Sequence, residues 1–351
     1  MIRPQMTTKP NQSSLNIGIL PYDMQANRYI EKNRLILEKL GTILPVPHPA
    51  KLLKTLLLNV FRTGKLKPFD VLILNWRENA LRSENNSITF KTIFEYISTM
   101  VLHRLSCKKL IYVAHNRFPH NIDKKQQTTA KKIIKFGYSL SDLIVVHSFP
   151  EADPGKKIHY VPHPLYDINH DNEILNPPLF MGEFYVIIGR IQQYKNLEKV
   201  IINWPKNKSL LILGPCDNKN YLKYIKNLIK NKDIIIEAKF HSENYLKKCI
   251  EKSKGVIVSN DNESMYVSGS FFFAISCHSK VFALDSPFYR WINDTPLSPC
   301  IFSFSSIDKL IKAIENQPEL AKGQCECIHQ LASPLFGDDI IEDSWRRIIY
   351  N

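Results

Sequence analysis

The chain of 351 residues contains no stretch approaching the roughly eighteen consecutive apolar residues of a membrane span. Its first fifteen residues, Met1 to Leu15, are polar and lack the apolar core of a secretory signal. Cysteine is sparse. There are seven, an odd number, with no pair of Cys-x-x-Cys motifs. That argues against a disulfide framework and a cysteine zinc site, and predicts reduced thiols in a cytoplasmic setting. No Gly-x-Gly-x-x-Gly follows the first strand and there is no Gly-rich P-loop, so an ordinary dehydrogenase or a P-loop nucleotidase is not expected. No cluster has metal-ligand spacing, and neither a metal nor another cofactor is predicted.

Acidic residues are scarce in one half only. Residues 1–170 hold 25 Lys and Arg against 12 Asp and Glu, whereas residues 171–351 hold 22 against 21. A basic half beside a neutral one points to an anionic surface met by the first half. The length suggests two domains, and 44% hydrophobic residues are enough to build two cores.

Apolar runs at Leu15–Leu20, Phe69–Asn75, Lys109–His115, Leu143–His147 and Lys157–Val161 read as buried strands, with helical patterns between most of them. After a proline-rich stretch the pattern restarts at Phe184–Ile188, Ser209–Leu213, Asp233–Glu237, Gly255–Val258 and Lys280–Leu284. Near-continuous apolar strands alternating with helices predict parallel sheets covered on both faces. The expected organisation is a disordered lead (1–14), a first doubly wound α/β domain (15–165) and a linker (166–183). A second such domain (184–335) and a terminal helix (336–351) returning toward the first domain complete it.

Two features of the second domain suit a diphosphate. Gly189, Arg190 and Lys195 follow a buried strand, where open α/β sheets bind ligands, and cations there match phosphate oxygens. Ser268, Gly269 and Ser270 open a helix after another strand, where free amides and the helix dipole favour an anion. Gly214, at a third strand end, leaves room for a flat base. In the basic half, Tyr22, Asp23, Asn75, Glu78, His115, Asn116, His120, His147 and Ser148 gather at strand ends, the places for an acceptor and a general base. Lys51 to Lys67 combines an apolar face with basic flanks, and Lys124 to Lys135 adds five lysines. Such segments lie on membrane interfaces, and cations near an anionic leaflet contribute about 1 kcal/mol each.

Four segments in order carry a resemblance: Val113-Ala-His-Asn-Arg-Phe-Pro-His120, Lys157-Ile-His-Tyr-Val-Pro-His-Pro164, Gly189-Arg-Ile-x-x-Tyr-Lys195 and Ser259 to Leu284. They make the chain similar to GT-B glycosyltransferases of the group 1, family 4-like type that build bacterial exopolysaccharide, capsule or lipopolysaccharide, in a variant with Ser-Gly-Ser at the donor helix. The resemblance implies two Rossmann-like domains with a cleft between them. It also implies metal-independent transfer of a sugar, a hexose above all, from a nucleotide-diphosphate sugar. The acceptor would be a glycan or polyprenyl-diphosphate-linked hydroxyl at the anionic inner face of the plasma membrane, with no nucleic acid involved. Gly189, Arg190, Lys195, Gly214, Glu263, Ser268, Gly269 and Ser270 would hold the donor, and Tyr22, Asn116 and His120 the acceptor. Glu78, Asp23 and His115 are the candidate bases of an inverting reaction, whereas a retaining one needs none. The family's paired donor-loop glutamates fall here on Met265 and Phe273, with Glu263 out of register. Three other readings stay open: a GT-B nucleotide-sugar epimerase, a non-catalytic basic protein binding nucleic acid or membrane, and a degenerate transferase retained as a partner subunit, which the missing glutamates allow.

Overall fold

A computed structural model describes residues 15–23, 27–63, 67–168, 182–260, 265–316 and 327–351. The predicted lead, Glu263 and most of the predicted linker lie outside the described residues.

The first domain alternates strands and helices in chain order: β1 (Asn16–Leu20), α1 (Arg28–Glu38), β2 (Thr42–Pro45), α2 (Pro49–Thr63), β3 (Phe69–Asn75), α3 (Phe90–Leu105), β4 (Cys107–Val113), α4 (Lys124–Leu140), β5 (Leu143–Val146) and β6 (Ile158–Tyr160). Its sheet runs β2-β1-β3-β4-β5-β6, every pairing parallel. The apolar run of β3 is buried at nearly every position because helices cover both faces of a parallel sheet. α2, α3 and α4 pack over one face, through Leu52, Leu56, Tyr96, Met100, Ala130 and Ile134.

The second domain repeats the plan with β7 (Phe184–Ile188), α5 (Leu197–Asn203), β8 (Ser209–Leu213), α6 (Lys219–Asn227), β9 (Ile234–Glu237), α7 (Glu243–Lys252), β10 (Val256–Val258), α8 (Gly269–Ser276), β11 (Val281–Leu284), α9 (Pro287–Asn293), β12 (Ile301–Phe304), α10 (Ile307–Asn316) and α11 (Ile328–Phe336). The sheet order is β12-β11-β10-β7-β8-β9, again parallel throughout. The molecule thus has two doubly wound α/β domains, the fold class read from the sequence. Two strands escaped that reading, β2 and β12. Both are four-residue edge strands with little full burial, so neither carries the continuous apolar run that marks a central strand.

The last helix, α12 (Asp338–Tyr350), belongs to the core of the first domain. Ile341, Trp345, Ile348 and Ile349 pack with Ile17, Ile36, Val71 and Val113 on the face opposite α3. Trp345 Nε1 donates to Asn33 Oδ1 at 3.2 Å. Lys109 Nζ donates to the Ile348 and Ile349 carbonyls at 3.0 and 3.1 Å, serving the helix end where carbonyls lack intrahelical partners.

Candidate functional site

Residues just beyond the carboxyl ends of β1, β7 and β9 line a cleft of ≈ 740 Å³ between the domains. Tyr22 and Asp23 come from the first domain, and Gly189, Phe240, Gly269 and Ser270 from the second. This is the place where an open α/β sheet binds its ligand.

The second-domain wall is built around the Ile188 carbonyl. Lys195 closes a short 3-10 turn after β7, and its side chain is buried, with Nζ donating to Ile188 O. Ser270 Oγ, in the first turn of α8, donates to the same oxygen at 3.1 Å. Gly189 lies between them with φ +89°: a Cβ there would stand 2.9 Å from Lys195 Nζ and 3.2 Å from Ser270 Oγ. The Lys195 ammonium, the Ser270 hydroxyl and the start of α8 therefore meet at one point. Burial lowers the Lys195 pKa to about 7, and among the described residues no carboxylate pairs with it.

Ser268 occupies the N-cap position of α8 with extended backbone, but its side chain does not cap the helix. Its Oγ accepts instead from Asn260 Nδ2 at 2.9 Å. Serine at this position commonly caps a helix through its side chain. The competing amide of Asn260 takes the hydroxyl, which leaves the amides of the first turn without a side-chain cap at the cleft wall.

The other predicted donor residues divide. Gly214 does not line the cleft. With φ +145°, its added Cβ would meet the Gly189 carbonyl oxygen at 2.3 Å. Its glycine lets the two strand ends touch, rather than opening space for a base. Arg190 turns away from Lys195, exposed, and pairs with Asp217 at 2.8 Å. Such a surface pair contributes about 0–1 kcal/mol and is easily exchanged for another anion.

In the first domain, Tyr22 and Asp23 reach the cleft, but Glu78, His115, Asn116 and His120 are not among its lining residues. Glu78 is fully buried. Its carboxylate accepts from the Asn116 amide nitrogens N and Nδ2, both at 3.0 Å, and from the Tyr112 hydroxyl at 3.3 Å. Burial raises its pKa to about 7 against these hydrogen bonds. The strands it serves, β3 and β4, are central, and other elements cover their ends. Asn116 forms an isolated β-bridge to Met265 of the second domain. Arg117 Nη1 donates to the Met265 carbonyl at 3.3 Å, and its guanidinium lies over the Tyr266 ring. Glu78 thus holds a loop that clasps the segment leading into α8. His120 stacks on Tyr194, 4.5 Å between ring centres, beside Lys195.

His115 lies in an aromatic cluster that the sequence did not reveal. It stacks on Trp76 at 4.1 Å, and its Nε2 meets Asn75 Oδ1 at 3.1 Å. Tyr29 stands edge-on to Trp76, His115 and His147. His147 Nδ1 donates to the Val161 carbonyl at 2.8 Å, so its Nε2 accepts from the Tyr29 hydroxyl at 2.7 Å. His163 stacks on Phe272 of α8 at 4.0 Å. Burial, with neighbouring histidines adding to it, holds His115 and His163 well below the ordinary imidazole value. Burial lowers His147 to about 4. These are neutral packing histidines that join α1, three strand ends and α8. Tyr29 gave no signal because it falls on the apolar stripe of α1 with Ile30, Ile36 and Leu37.

Sequence reasoning also missed Arg28 and Glu243, which line the same cleft. Arg28 Nε donates to both Glu243 carboxylate oxygens at 2.8 and 2.9 Å, joining α1 to the start of α7 across the domains. Each reads in the sequence as an ordinary charge near a helix start. Among the described residues no group of three or more His, Cys, Asp or Glu side chains is placed to hold a metal ion.

No protein-family model and no curated protein matches the chain. Solved structures match it over nearly its whole length. HepE of Anabaena in complex with UDP superposes with a TM-score of 0.57 at 11% identity, covering 96% of this chain and 99% of HepE. A glycosyltransferase from Rickettsia africae gives 0.58 at 12% identity, covering 96% and 98%. The fold is GT-B. The lipopolysaccharide outer core galactosyltransferase WaaB, without ligand, gives 0.54 at 12% identity, covering 95% and 98%. At these identities the likeness is one of fold, and it spans both domains together. In GT-B terms the described cleft is the interdomain cleft, with Gly189 and the start of α8 on its second-domain side and Lys195, itself not a lining residue, buried behind Gly189.

Proposed function

We propose that this GT-B protein transfers a sugar from a nucleotide-diphosphate sugar to a hydroxyl of a glycan or lipid-linked acceptor. The observation that carries the reading is the meeting of Lys195 Nζ, Ser270 Oγ and the uncapped start of α8 beside Gly189. Buried cations and free amides stabilise an anion most where water is excluded. As the glycosidic bond breaks, charge grows on the departing diphosphate, and these groups are in place to meet it. Arg190 would leave Asp217 for the same phosphates. Donor complexes support the reading by analogy, since HepE has been solved with UDP and with UDP-glucose.

Of the three candidate bases, Asp23 alone lines the cleft. In an inverting reaction Asp23 takes the acceptor proton, and Glu78 acts indirectly, by holding Asn116 and hence the segment before α8. Tyr22 remains an acceptor contact. His120 and Asn116 instead join the domains.

We further propose that the acceptor is met at an anionic membrane surface, which fits assembly of surface polysaccharide at the inner leaflet. Among the described residues no helix is long and apolar enough to cross a membrane. The outer face of the first domain carries Leu57, Phe61, Phe90 and Phe94, more than half exposed, on the adjacent helices α2 and α3. Large exposed apolar side chains gathered on neighbouring helices point to an interaction site, and Lys51, Lys54 and Lys91 lie on the same two helices.

The test of the transfer reading is a thermal-shift screen of UDP, GDP, ADP and CMP sugars. A ligand that binds only the folded state raises the melting temperature. One class should stabilise the wild type and leave Gly189→Val unmoved. No shift with any nucleotide sugar at millimolar concentration would overturn the reading.

A further inference from the structure

A second cleft lies on the far side of the turn that carries Gly189 and Lys195. Gly189 lines the first cleft, whereas Ile191, Gln192 and Gln193 line the second, of ≈ 630 Å³. The two share no lining residue. Both domains contribute to it, as they do to the first.

Its chemistry differs from that of the donor side. Six of its twelve lining residues carry side-chain amides: Asn86, Asn121, Gln192, Gln193, Asn218 and Asn220. The charges balance, Arg82 and Lys219 against Glu84 and Asp217. Ile191 is the single aliphatic residue of the twelve. A balanced wall does not select an anion, and a wall in which polar surface predominates, with Ile191 and Tyr221 its only large apolar side chains, does not select a lipid chain. An amide presents a donor and an acceptor side by side, the pair that two neighbouring sugar hydroxyls require. Among the described residues these amides are largely uncommitted. Asn121 Nδ2 reaches Gln192 Oε1 only at 3.5 Å, and Asn218 Oδ1 accepts from the Tyr221 amide at 2.9 Å.

We propose that this cleft is a subsite for the neutral, hydroxyl-rich part of an oligosaccharide. Gln192 is three positions beyond Gly189, at most about 10 Å of chain, so one oligosaccharide spans the ridge between the clefts. That this oligosaccharide is the acceptor rests on the transfer reading above; that the cleft binds neutral sugar does not.

The test is a printed array of neutral and anionic bacterial oligosaccharides, probed with the full chain, with the double variant Gln192→Ala/Asn220→Ala and with Asn220→Trp. Gln193 and Asn220 are exposed and Gln192 half-buried, so the substitutions leave the core intact. The nucleotide-sugar thermal shift is measured beside it. The expected result is wild-type binding to neutral oligosaccharides, weakened at least ten-fold in the double variant and blocked in Asn220→Trp, with the nucleotide-sugar shift unchanged in both. Three results would overturn the proposal: no neutral oligosaccharide bound, anionic ones preferred, or binding equal in all three proteins. Neutral binding lost in the variants without any wild-type response to nucleotide sugars would support the subsite while the transfer reading fails.

Discussion

Replacing Lys195 with methionine should make the free protein more stable while removing donor binding. The side chain is 3% exposed, and its pKa falls to about 7 from an ordinary 10.5. One pKa unit corresponds to about 1.4 kcal/mol, so holding this ammonium in the fold at neutral pH costs on the order of 4 kcal/mol. Methionine keeps an unbranched stem and carries no charge. The lost hydrogen bond leaves no orphan, because Ser270 Oγ still donates to Ile188 O; the loss is about 1 kcal/mol. The net gain is about 3 kcal/mol, several degrees of melting temperature for a protein of this size. A second signature follows from protonation. The depressed pKa means that the unfolded chain binds the extra proton between about pH 7 and 10.5. Wild-type stability therefore rises with pH across that window, and Lys195→Met should lose this rise. Calorimetry from pH 6.5 to 9.5, without ligand and with the stabilising nucleotide sugar, reads all three effects. An unchanged or lower melting temperature together with a retained nucleotide-sugar shift would refute the reasoning.

Acid should weaken the fold through the histidine cluster. Burial lowers His147 to about 4 and holds His115 and His163 well below the ordinary imidazole value, so the unfolded chain binds these protons first and stability falls as pH drops from about 6.5 toward 4. Glu78 works in the opposite sense, since its raised pKa keeps a proton in the fold between about 4.5 and 7. Glu78→Gln should therefore steepen the acid loss, and a shallower melting profile than wild type between pH 7 and 4.5 would contradict this. At the membrane face, Phe61→Ser with Phe94→Ser should release the protein from vesicles containing phosphatidylglycerol, each ring contributing about 1.5–3 kcal/mol if fully buried. Equal co-sedimentation of variant and wild type would remove the membrane proposal.

The central strands were legible because burial on both faces forces continuous apolar runs, and Phe69–Asn75 and Ser209–Leu213 have them. The edge strands β2 and β12 were not, since half-exposed four-residue segments look like turns. The second-domain site was legible because Gly189, Lys195 and Ser270 lie in the loops and first turn that follow β7 and β10, which are neighbours in the sheet, at the strand-end positions where ligands are expected. The direction Arg190 takes was not legible, because spacing says nothing about which side of a turn a side chain takes. Glu78 and His115 also follow central strands, β3 and β4, but other elements cover those ends. What covers a central strand end comes from far along the chain, here Tyr29, Met265 and Tyr266, and no local pattern announces it. Arg28 and Glu243, 215 positions apart, meet only through the docking of two domains.

The position of α12 bears on how the protein comes into being. On the ribosome, residues 15–168 emerge with Ile17, Ile36 and Val71 ready to pack, but the layer that covers that face is encoded at residues 338–350. The first domain is therefore expected to keep an oily face open during synthesis until the second domain and α12 have been made. Intermediates with such surfaces are prone to aggregate. A fragment ending at residue 335 should bind a hydrophobic dye such as ANS far more strongly than the whole chain, and equal dye binding would show that the first domain closes without its late-arriving helix.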